Sequence, residues 1–586
     1  MLAYIRTLFF KVFIFSLVSF FTSAYGQVQY SEQAAILGIN ANAGLAPYGA
    51  GVSFYDFDQD GWDDLTFCNP SGIPVQFFKN NQGTFTEVFL IPNDPLFDTM
   101  SATWVDYDND GDLDLFVTSF SNLNKLYRND GNLQFTDISS SSGLELPGVA
   151  SFGASWGDFD KDGYLDVFIS VRNELDPTQP NYLFKNNGNG TFTNYNAIAG
   201  IPNTNFLSFC SAFIDYDKDG WQDIYIANDK VIYSNILYKN NQNNSFTDVA
   251  PVTNSDVAID AMCASPADYN SDGWLDIYLS NTNLGNVFLE FDPITQSFND
   301  VAPANGTSFN SVGWGSAFLD ANNDSHLDLY VSGSMIFGNQ FNAPSAAFYL
   351  NDGTGNYSVP QNIGFQNDNA ESFANAVGDV DNDGKPEIIV SNKSPNNHYL
   401  WKNISTTNNN WLKVKLEGTT SNYQGIGSWV EISVNGQKQY RYTMLGENYL
   451  AQHSAYQHFG IGSAPQIDYV KVEWLSGMVD SIPNPVINQH LTIVEGSNTL
   501  TLQDFNNEPG FSIIPNPVEN SFQLVSSDNK KPEKIILRDL TGKVLFLKYP
   551  EQANEVFRLS EDLQSGLYIV EILYQHRKTY QKMLKL

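Results

Sequence analysis

SFGASWGDFDKDGYLDVFISV, residues 151–171, holds the pattern on which the fold turns. Small and apolar residues lead into an acidic loop, DFDKDGYLD, which opens at Asp158 and closes at Asp166 on an unbroken apolar run. The form D-x-[DN]-x-D-[GS]-x-x-[DE] occurs seven times, as DFDQDGWDD (from Asp56), DYDNDGDLD (Asp106), DFDKDGYLD (Asp158), DYDKDGWQD (Asp215), DYNSDGWLD (Asp268), DANNDSHLD (Asp320) and DVDNDGKPE (Asp379), at intervals of 50 to 59 residues. Oxygen donors at positions 1, 3, 5 and 9, with a glycine at 6 to turn the backbone, are what a short loop needs to wrap a hard cation such as Ca²⁺. A single copy reads equally well as a solvated acidic turn, whereas seven in register point to the metal.

Each loop lies between strand-like segments. SFGASWG (151–157), SFCSAFI (208–214) and SFANAVG (372–378) precede it, and LDLFV (113–117), LDVFI (165–169), QDIYI (222–226), LDIYL (275–279) and LDLYV (327–331) follow. Runs without alternation are buried on both faces, as in a strand sandwiched between neighbouring sheets. A third strand and a tight Asn/Gly turn come next, in FFKNNQGTF (77–85), LFKNNGNGTF (183–192) and LYKNNQNNSF (237–246), and a fourth strand completes the unit. Four strands every fifty-odd residues predict a seven-bladed β-propeller in an all-β chain. The seventh repeat lacks a fourth strand, and VQYSEQAAILGI (28–39), which matches FTNYNAIAGIPN (192–203), is expected to supply it and close the ring.

These repeats resemble FG-GAP/VCBS repeats, the blades of integrin α-subunit propellers, over about residues 28–405. The resemblance implies up to seven Ca²⁺ ions. The implied ligands are Asp56, Asp58, Asp60 and Asp64; Asp106, Asp108, Asp110 and Asp114; Asp158, Asp160, Asp162 and Asp166; Asp215, Asp217, Asp219 and Asp223; Asp268, Asn270, Asp272 and Asp276; Asp320, Asn322, Asp324 and Asp328; and Asp379, Asp381, Asp383 and Glu387. Position 7, occupied in turn by Trp62, Asp112, Tyr164, Trp221, Trp274, His326 and Lys385, would add its backbone carbonyl. An EF-hand fits less well, for the loops lack a glutamate at position 12 and flanking helices. Loop six has Ser325 in the glycine place and is expected to bind most weakly.

The texture changes at Trp411. WLKVKLEG, ENYLAQ (447–452), HFGIG (458–462) and VKVEWLSG (470–477) resemble an ASPIC/UnbV domain over about 410–496, and together with the propeller they resemble the cartilage-acidic-protein-like family. After a linker at 497–510, FSIIPNPV (511–518), ILRDLTGKVLFL (536–547), FRLSEDLQSGLYIVEI (557–572) and YQKMLKL (580–586) resemble a type IX secretion C-terminal sorting domain. Both read as small β-domains following the propeller at 27–405. Residues 1–26 read as a secretory signal, with Arg6 and Lys11 ahead of an apolar run and Ala24-Tyr25-Gly26 as the cleavage site. The expected location is outside the cell or on its outer surface, with the type IX machinery as a partner.

The 586 residues carry 65 acids against 30 bases, a net charge of −35, and 26 of the acids stand at loop positions. No basic face suggests nucleic acid. Three cysteines make no disulfide framework; Cys210 and Cys263 stand where the other repeats have Gly51, Ser101, Gly153, Gly315 and Ala374, and read as small buried residues. No catalytic constellation is visible. Gly153-Ala154-Ser155-Trp156-Gly157 is a formal G-x-S-x-G, but it lies in a strand rather than a strand–turn–helix. His458 reads as a structural histidine. The aromatic residues at position 7 are expected either to ring one rim of the propeller as a sugar or protein platform, or to pack against the neighbouring blade. The function expected is calcium-dependent recognition or adhesion toward an extracellular polysaccharide or protein, and the alternatives are a lyase-like polysaccharide-active enzyme or a structural surface component.

Overall fold

A computed structural model describes residues 28–497 and 511–585, apart from 95, 177, 205, 335–343, 345, 526–530, 539–543, 561–562, 565 and 575–576. The signal segment, most of the linker and most of the LTGKV turn lie outside the described residues. Two compact units divide the chain, one ending at Asn498 and one beginning at Thr499.

The first unit contains a seven-bladed β-propeller; each blade has four antiparallel strands, in sequence order in blades one to six, and blade one takes on Ala451–Gln452 as a fifth, parallel strand. In blade three the inner strand Ser151–Gly157 pairs with Asp166–Val171, which pairs with Tyr182–Asn186 and then Phe192–Asn194. The first two strands are buried along their whole length, because neighbouring blades cover both faces. Blade seven combines Ser372–Gly378, Glu387–Asn392 and Tyr399–Asn403 with Tyr30–Glu32 as its outer strand, in the register Tyr30↔Asn403 and Glu32↔Trp401. The two ends of the propeller sequence thus meet in one sheet.

Small residues recur on the inner strands because those strands crowd the axis. Five of them carry a β-bulge there, as between Ser151 and Ala154 or Gly313 and Ser316. A Cβ on Gly153 would lie 2.9 Å from the Phe209 carbonyl of the next blade. Cys68, Cys210 and Cys263 are free and buried, and Cys210 Sγ accepts the Ala264 N–H at 3.2 Å. Ser155 faces the next inner strand, Oγ to Ser211 Oγ 2.7 Å, and not an open elbow.

A second β-domain sits on the loop end of the propeller within the same unit. One sheet orders Gln457–Gly460, Trp411–Glu417 and His490–Val494; the other orders Gln437–Tyr442, Trp429–Val434, Tyr469–Glu473 and Val479–Pro483. Leu412, Val414, Val430, Ile432, Phe459 and Val472 form its core. The ENYLAQ segment leaves this domain and enters the propeller channel. Ala451–Gln452 pairs in parallel with Val52–Phe54 of blade one, in the register Val52↔Ala451. Gln452 exchanges hydrogen bonds with the Trp104 backbone of blade two, Trp156 N–H of blade three donates to Leu445 O, and Tyr449 packs on Phe209 of blade four. Asn448 N–H donates to Ala264 O of blade five, and its side chain joins Ser316 of blade six to Asn375 of blade seven. The propeller axis is therefore plugged by a buried hook that reaches every inner strand.

The second unit has a three-stranded sheet, Ser512–Ile514, Ser521–Val525 and Val556–Arg558, and a four-stranded sheet, Val544–Lys548, Lys534–Arg538, Gly566–Tyr574 and Arg577–Lys585. Phe522, Leu524, Ile535, Leu537, Val570 and Ile572 fill its core. No helix among the described residues is long and apolar enough to cross a membrane.

Candidate metal centres

Each acidic loop is shaped by its own carboxylates. In blade three Asp158 accepts the N–H groups of Asp162 (3.0 Å) and Gly163 (2.9 Å), which curls the chain over its first residue. Asp162 accepts the Tyr164 N–H at 3.0 Å. Asp166 receives Asn186 N–H from the third strand at 2.7 Å and Phe159 N–H at 3.2 Å. Two residues per loop take the left-handed conformation. Position 6 has φ from 78° to 92°, Ser325 included at 85°, and position 4 has φ from 55° to 61° on Gln59, Asn109, Lys161, Lys218, Ser271, Asn323 and Asn382.

Positions 1, 3 and 9 come together. Oxygens of Asp56, Asp58 and Asp64 lie within 4.8 Å of one another, as do those of Asp106, Asp108 and Asp114, of Asp158, Asp160 and Asp166, of Asp215, Asp217 and Asp223, and of Asp379, Asp381 and Glu387. The position 5 carboxylates, Asp60, Asp110, Asp162, Asp219 and Asp383, stand outside these groups and hold the N–H of position 7 at 2.9 to 3.1 Å. In loops five and six an amide replaces the position 3 acid. Asn270 and Asn322 accept the N–H of Asp272 and Asp324, at 3.0 and 3.1 Å, while Asp272 and Asp324 receive Trp274 and His326 N–H.

The donor set suits a hard cation. Buried oxygens on Asp58, Asp108, Asp160 and Asp217, all at position 3, have no hydrogen-bond partner, and neither has Asp114 Oδ2 or Asp276 Oδ2 at position 9. Such orphaned carboxylate oxygens are costly without a counter-charge. Burial pushes Asp106, Asp158, Asp215, Asp268 and Asp320 up to about 7, and Asp64 and Asp114 to about 9. Asp166, Asp223, Asp276, Asp328 and Glu387 rise well above the carboxylate range for the same reason. All-oxygen, acid-rich clusters of this kind match calcium rather than a nitrogen- or sulfur-seeking metal.

Two elements of the site were not read from the sequence. First, a third-strand cation stands beside four loops. Lys79 pairs with Asp58 and Asp60, Lys185 with Asp160 and Asp162, Lys239 with Asp217 and Asp219, and Lys402 with Asp381 and Glu387. Blade five has Glu290 at that strand position, blade six Leu350, and Arg128 of blade two turns to Asp130. Second, the asparagine that follows ties the loop to the preceding blade. Nδ2 of Asn80, Asn186, Asn240 and Asn403 donates to the position 2 carbonyl of the neighbouring loop, Val380, Tyr107, Phe159 and Ala321, at 2.7 to 2.9 Å. The recurring K-N of FFKNN, LFKNN, LYKNN and LWKN is the signal in the sequence for both.

Two of the four position 7 aromatics are covered from the neighbouring blade. Lys161 lies over Trp221 at 4.9 Å, and Lys218 over Trp274 at 5.4 Å, so each ring is covered by the position 4 side chain of the preceding loop. The second β-domain covers this end as well. Tyr423 N–H donates to Asn109 Oδ1 at 3.0 Å, Gly462 N–H to Asn323 O at 2.8 Å, and Lys413 reaches Asp379 at 3.2 Å. His458 lies 3.1 Å from Gly384 O through Nε2, and burial lowers it to about 3. It pins the two domains together.

Sequence comparison agrees with this architecture. The chain matches the FG-GAP-like repeat over 56–117, 106–169 and 215–279, ASPIC and UnbV over 418–500, and the secretion system C-terminal sorting domain over 512–585. It is similar to cartilage acidic protein 1 of Homo sapiens, 29% identical over 177 residues that make 28% of this chain and 25% of the relative. The Xenopus tropicalis protein of that name is 23% identical over 320 residues, 48% of each chain. The chain thus spans between a quarter and a half of the length of the curated relatives it matches. Of solved structures, YCF48 from Cyanidioschyzon merolae aligns over 64% of this chain and 98% of its own at 10% identity and TM-score 0.39, and YCF48 bound to D1 peptide over 64% and 95% at 8% and 0.39. The sorting domain indicates type IX secretion to the outside or outer surface. The chain is an FG-GAP-repeat β-propeller protein that carries an ASPIC and UnbV domain and a secretion-system C-terminal sorting domain.

Proposed function

We propose that this is a secreted, calcium-stapled recognition protein whose open propeller end binds an extracellular polysaccharide or protein. The buried position 3 oxygens that make no hydrogen bond carry the calcium reading, since a cation among positions 1, 3 and 9 would relieve the oxygen that the third-strand lysine leaves unpaired. Calcium would sit among positions 1, 3 and 9, with position 5 and the position 7 carbonyl as further donors, and would supply fixed charge that locks each loop. The lysines of blades one, three, four and seven would swing aside or share the outer carboxylates.

The recognition reading rests on the other end. With the loop end covered, the connections between second and third strands form the free face. They carry Leu175 (96% exposed), Ile232 (75%) and Leu284 (79%) on consecutive blades. Solvent-facing apolar side chains on loops held by a rigid scaffold suit a binding surface. A panel of polysaccharides and matrix proteins, offered to the secreted chain with calcium and with chelator, tests it. Retention that needs calcium and falls in a Leu175→Ser/Ile232→Ser/Leu284→Ser variant is expected. Retention indifferent to those changes would move the site elsewhere, and released oligosaccharide product would make the protein an enzyme.

A further inference from the structure

A cavity of about 190 Å³ lies between the loop end of the propeller and the second β-domain. Pro266, Leu275, Leu319, Leu327, Val377 and Met444 give it an apolar wall and Arg441, Glu447 and His453 a polar one, while the loop-opening Asp56, Asp268, Asp320 and Asp379 line its propeller side. None of Arg441, Glu447 and His453 is fully satisfied. Glu447 is 8% exposed and its Oε2 makes no hydrogen bond; burial raises the acid to about 7. His453 Nδ1 accepts the Val377 N–H at 3.0 Å, which places the ring proton on Nε2. That N–H stands 3.9 Å from Glu447 Oε1, too far for a hydrogen bond. Arg441 donates through Nε to His458 O (3.2 Å) and through Nη1 to Tyr440 O (2.8 Å), while Nη2 is buried without an acceptor.

Empty cavities are apolar, whereas unpaired donors and an unpaired acceptor around one void take up water or a polar guest that displaces it. A metal ion does not fit between His453 and Glu447, because His453 presents a proton there rather than a lone pair, and the cavity's other acids, Asp56, Asp268, Asp320 and Asp379, are the first residues of loops one, five, six and seven. The charges facing Arg441 are Asp268 and Asp320, the first residues of loops five and six. Calcium in those loops would engage both carboxylates and leave Arg441 facing the cavity as an uncompensated cation, so the inference rests on the calcium reading.

We propose that this cavity is a binding site for a small organic acid with an apolar body and a hydrogen-bond donor, its carboxylate on Arg441, its donor on Glu447 and its body against the leucine wall. The His453 N–H, held in place by blade seven, would orient Glu447 for the donor. A neutral amphiphile would leave Arg441 unpaired and is the rival guest.

Calorimetry on the full secreted chain, with calcium and with EGTA, tests it using 4-hydroxybenzoate, benzoate and benzyl alcohol as probes. In calcium, 4-hydroxybenzoate should bind with a Kd at or below about 1 mM, and benzyl alcohol at least tenfold more weakly. Arg441→Met should weaken both carboxylates at least tenfold. Glu447→Gln, which keeps shape and tests the site should Arg441→Met fail to fold, should weaken 4-hydroxybenzoate and leave benzoate unchanged. No carboxylate binding to protein that has taken up calcium overturns the proposal, and so does benzyl alcohol binding as well as benzoate. A separate calcium titration keeps the two readings apart. If no calcium binds, the staple has failed, and carboxylate binding in the same buffer still decides the cavity, its presence sustaining the site and its absence ending it.

Discussion

The propeller and the β-domain seated on it bury acids in opposite ways. In the β-domain Glu431 feels a burial penalty that raises its pKa, yet the Tyr469 hydroxyl, Lys438 and Lys471 together bring it below the usual carboxylate range. Glu495 is likewise lowered against its burial, by the Ser476 hydroxyl and the N–H groups of Thr419, Thr420 and Ser421. These two acids have their partners built in. The propeller loops instead crowd acids whose burial dominates, so that Asp166, Asp223, Asp276 and Asp328 are pushed far up. Glu431 and Glu495 find their counter-charges and donors within the β-domain, whereas the buried loop acids keep oxygens without a partner that a bound cation would relieve.

Removing the ion should separate the two most sharply. A site held at about 100 times its Kd adds about 2.7 kcal/mol to the folded state, and several such sites act on one cooperative ring. Chelation is therefore expected to lower the melting temperature on the order of 10 °C or more. Hydrogen exchange should localise the change: strands such as Asp166–Val171 lose protection, and Trp429–Val434 keeps it. Equal loss in both would erase the contrast.

Acid should act as a partial substitute for calcium. The apo loops hold acids raised to about 7 and about 9, against about 3.9 in the unfolded chain. Between those values the folded state binds more protons, so apo stability rises as pH falls from 9 toward 4 and is lost as pH rises through the folded values. The slope is at most about 1.4 kcal/mol per group per pH unit. Calcium needs the ionised form, so the melting curves with calcium and with chelator should converge on acidification. A chelated protein that grows steadily less stable below pH 7 would show that these carboxylates are not the controlling groups.

The hook joins the two regions, and cutting it tests how far they depend on each other. Tyr449 is fully buried against Phe209 and Trp314, and its hydroxyl donates to Tyr48 O at 2.6 Å. Tyr449→Ala should cost about 3–5 kcal/mol, the range for deleting a large buried aromatic. Its effect should survive calcium saturation, because the hook touches inner strands and not the loops. A loss below about 1 kcal/mol would show that the propeller closes without its plug.

Repetition made the propeller legible. Seven copies of one loop carry the blade count and the four-stranded unit, because each copy restates the same local chemistry, but not the placing of position 5 apart from positions 1, 3 and 9 in the five loops that gather them. The orphan VQYSEQAAILGI revealed its role through likeness to a complete copy, and Tyr30–Glu32 stands beside Tyr399–Asn403. What happens once is illegible by that route. ENYLAQ carries no periodicity, and its insertion into the channel depends on contacts such as Val52↔Ala451, some 400 residues apart in sequence. That Trp221 and Trp274 pack against the neighbouring blade is one of the two arrangements the sequence allows, but which residues cover them is illegible for a related reason: Lys161 and Lys218 occupy a variable loop position, and their reach across the seam depends on a left-handed φ at position 4. The third-strand lysines were visible as letters, but only the pleat turns Lys185 toward Asp160 and not toward solvent.

Loop six gives the finest comparison, because at position 6, the left-handed place that elsewhere holds glycine, it carries a serine. Ser325 sits at φ 85°, where Gly163 sits at 89°, and its N–H still donates to the first aspartate, Asp320 Oδ2, at 2.8 Å. The serine therefore adopts the glycine geometry and bears the steric cost of a Cβ there, about 1 kcal/mol. Ser325→Gly should recover about that amount in calcium. It should also tighten calcium at site six by up to about fivefold if the strain is greater in the closed loop. Glycine, however, frees the unfolded chain, which takes back part of the gain. The decisive readout is the difference between calcium and chelator. A gain equal in both means the strain is borne by the empty loop too, and a gain confined to calcium means the ion imposes it. A loss in both would show that the serine contributes a stabilising contact that outweighs its backbone strain, and site six would then no longer stand as the weakest of the seven.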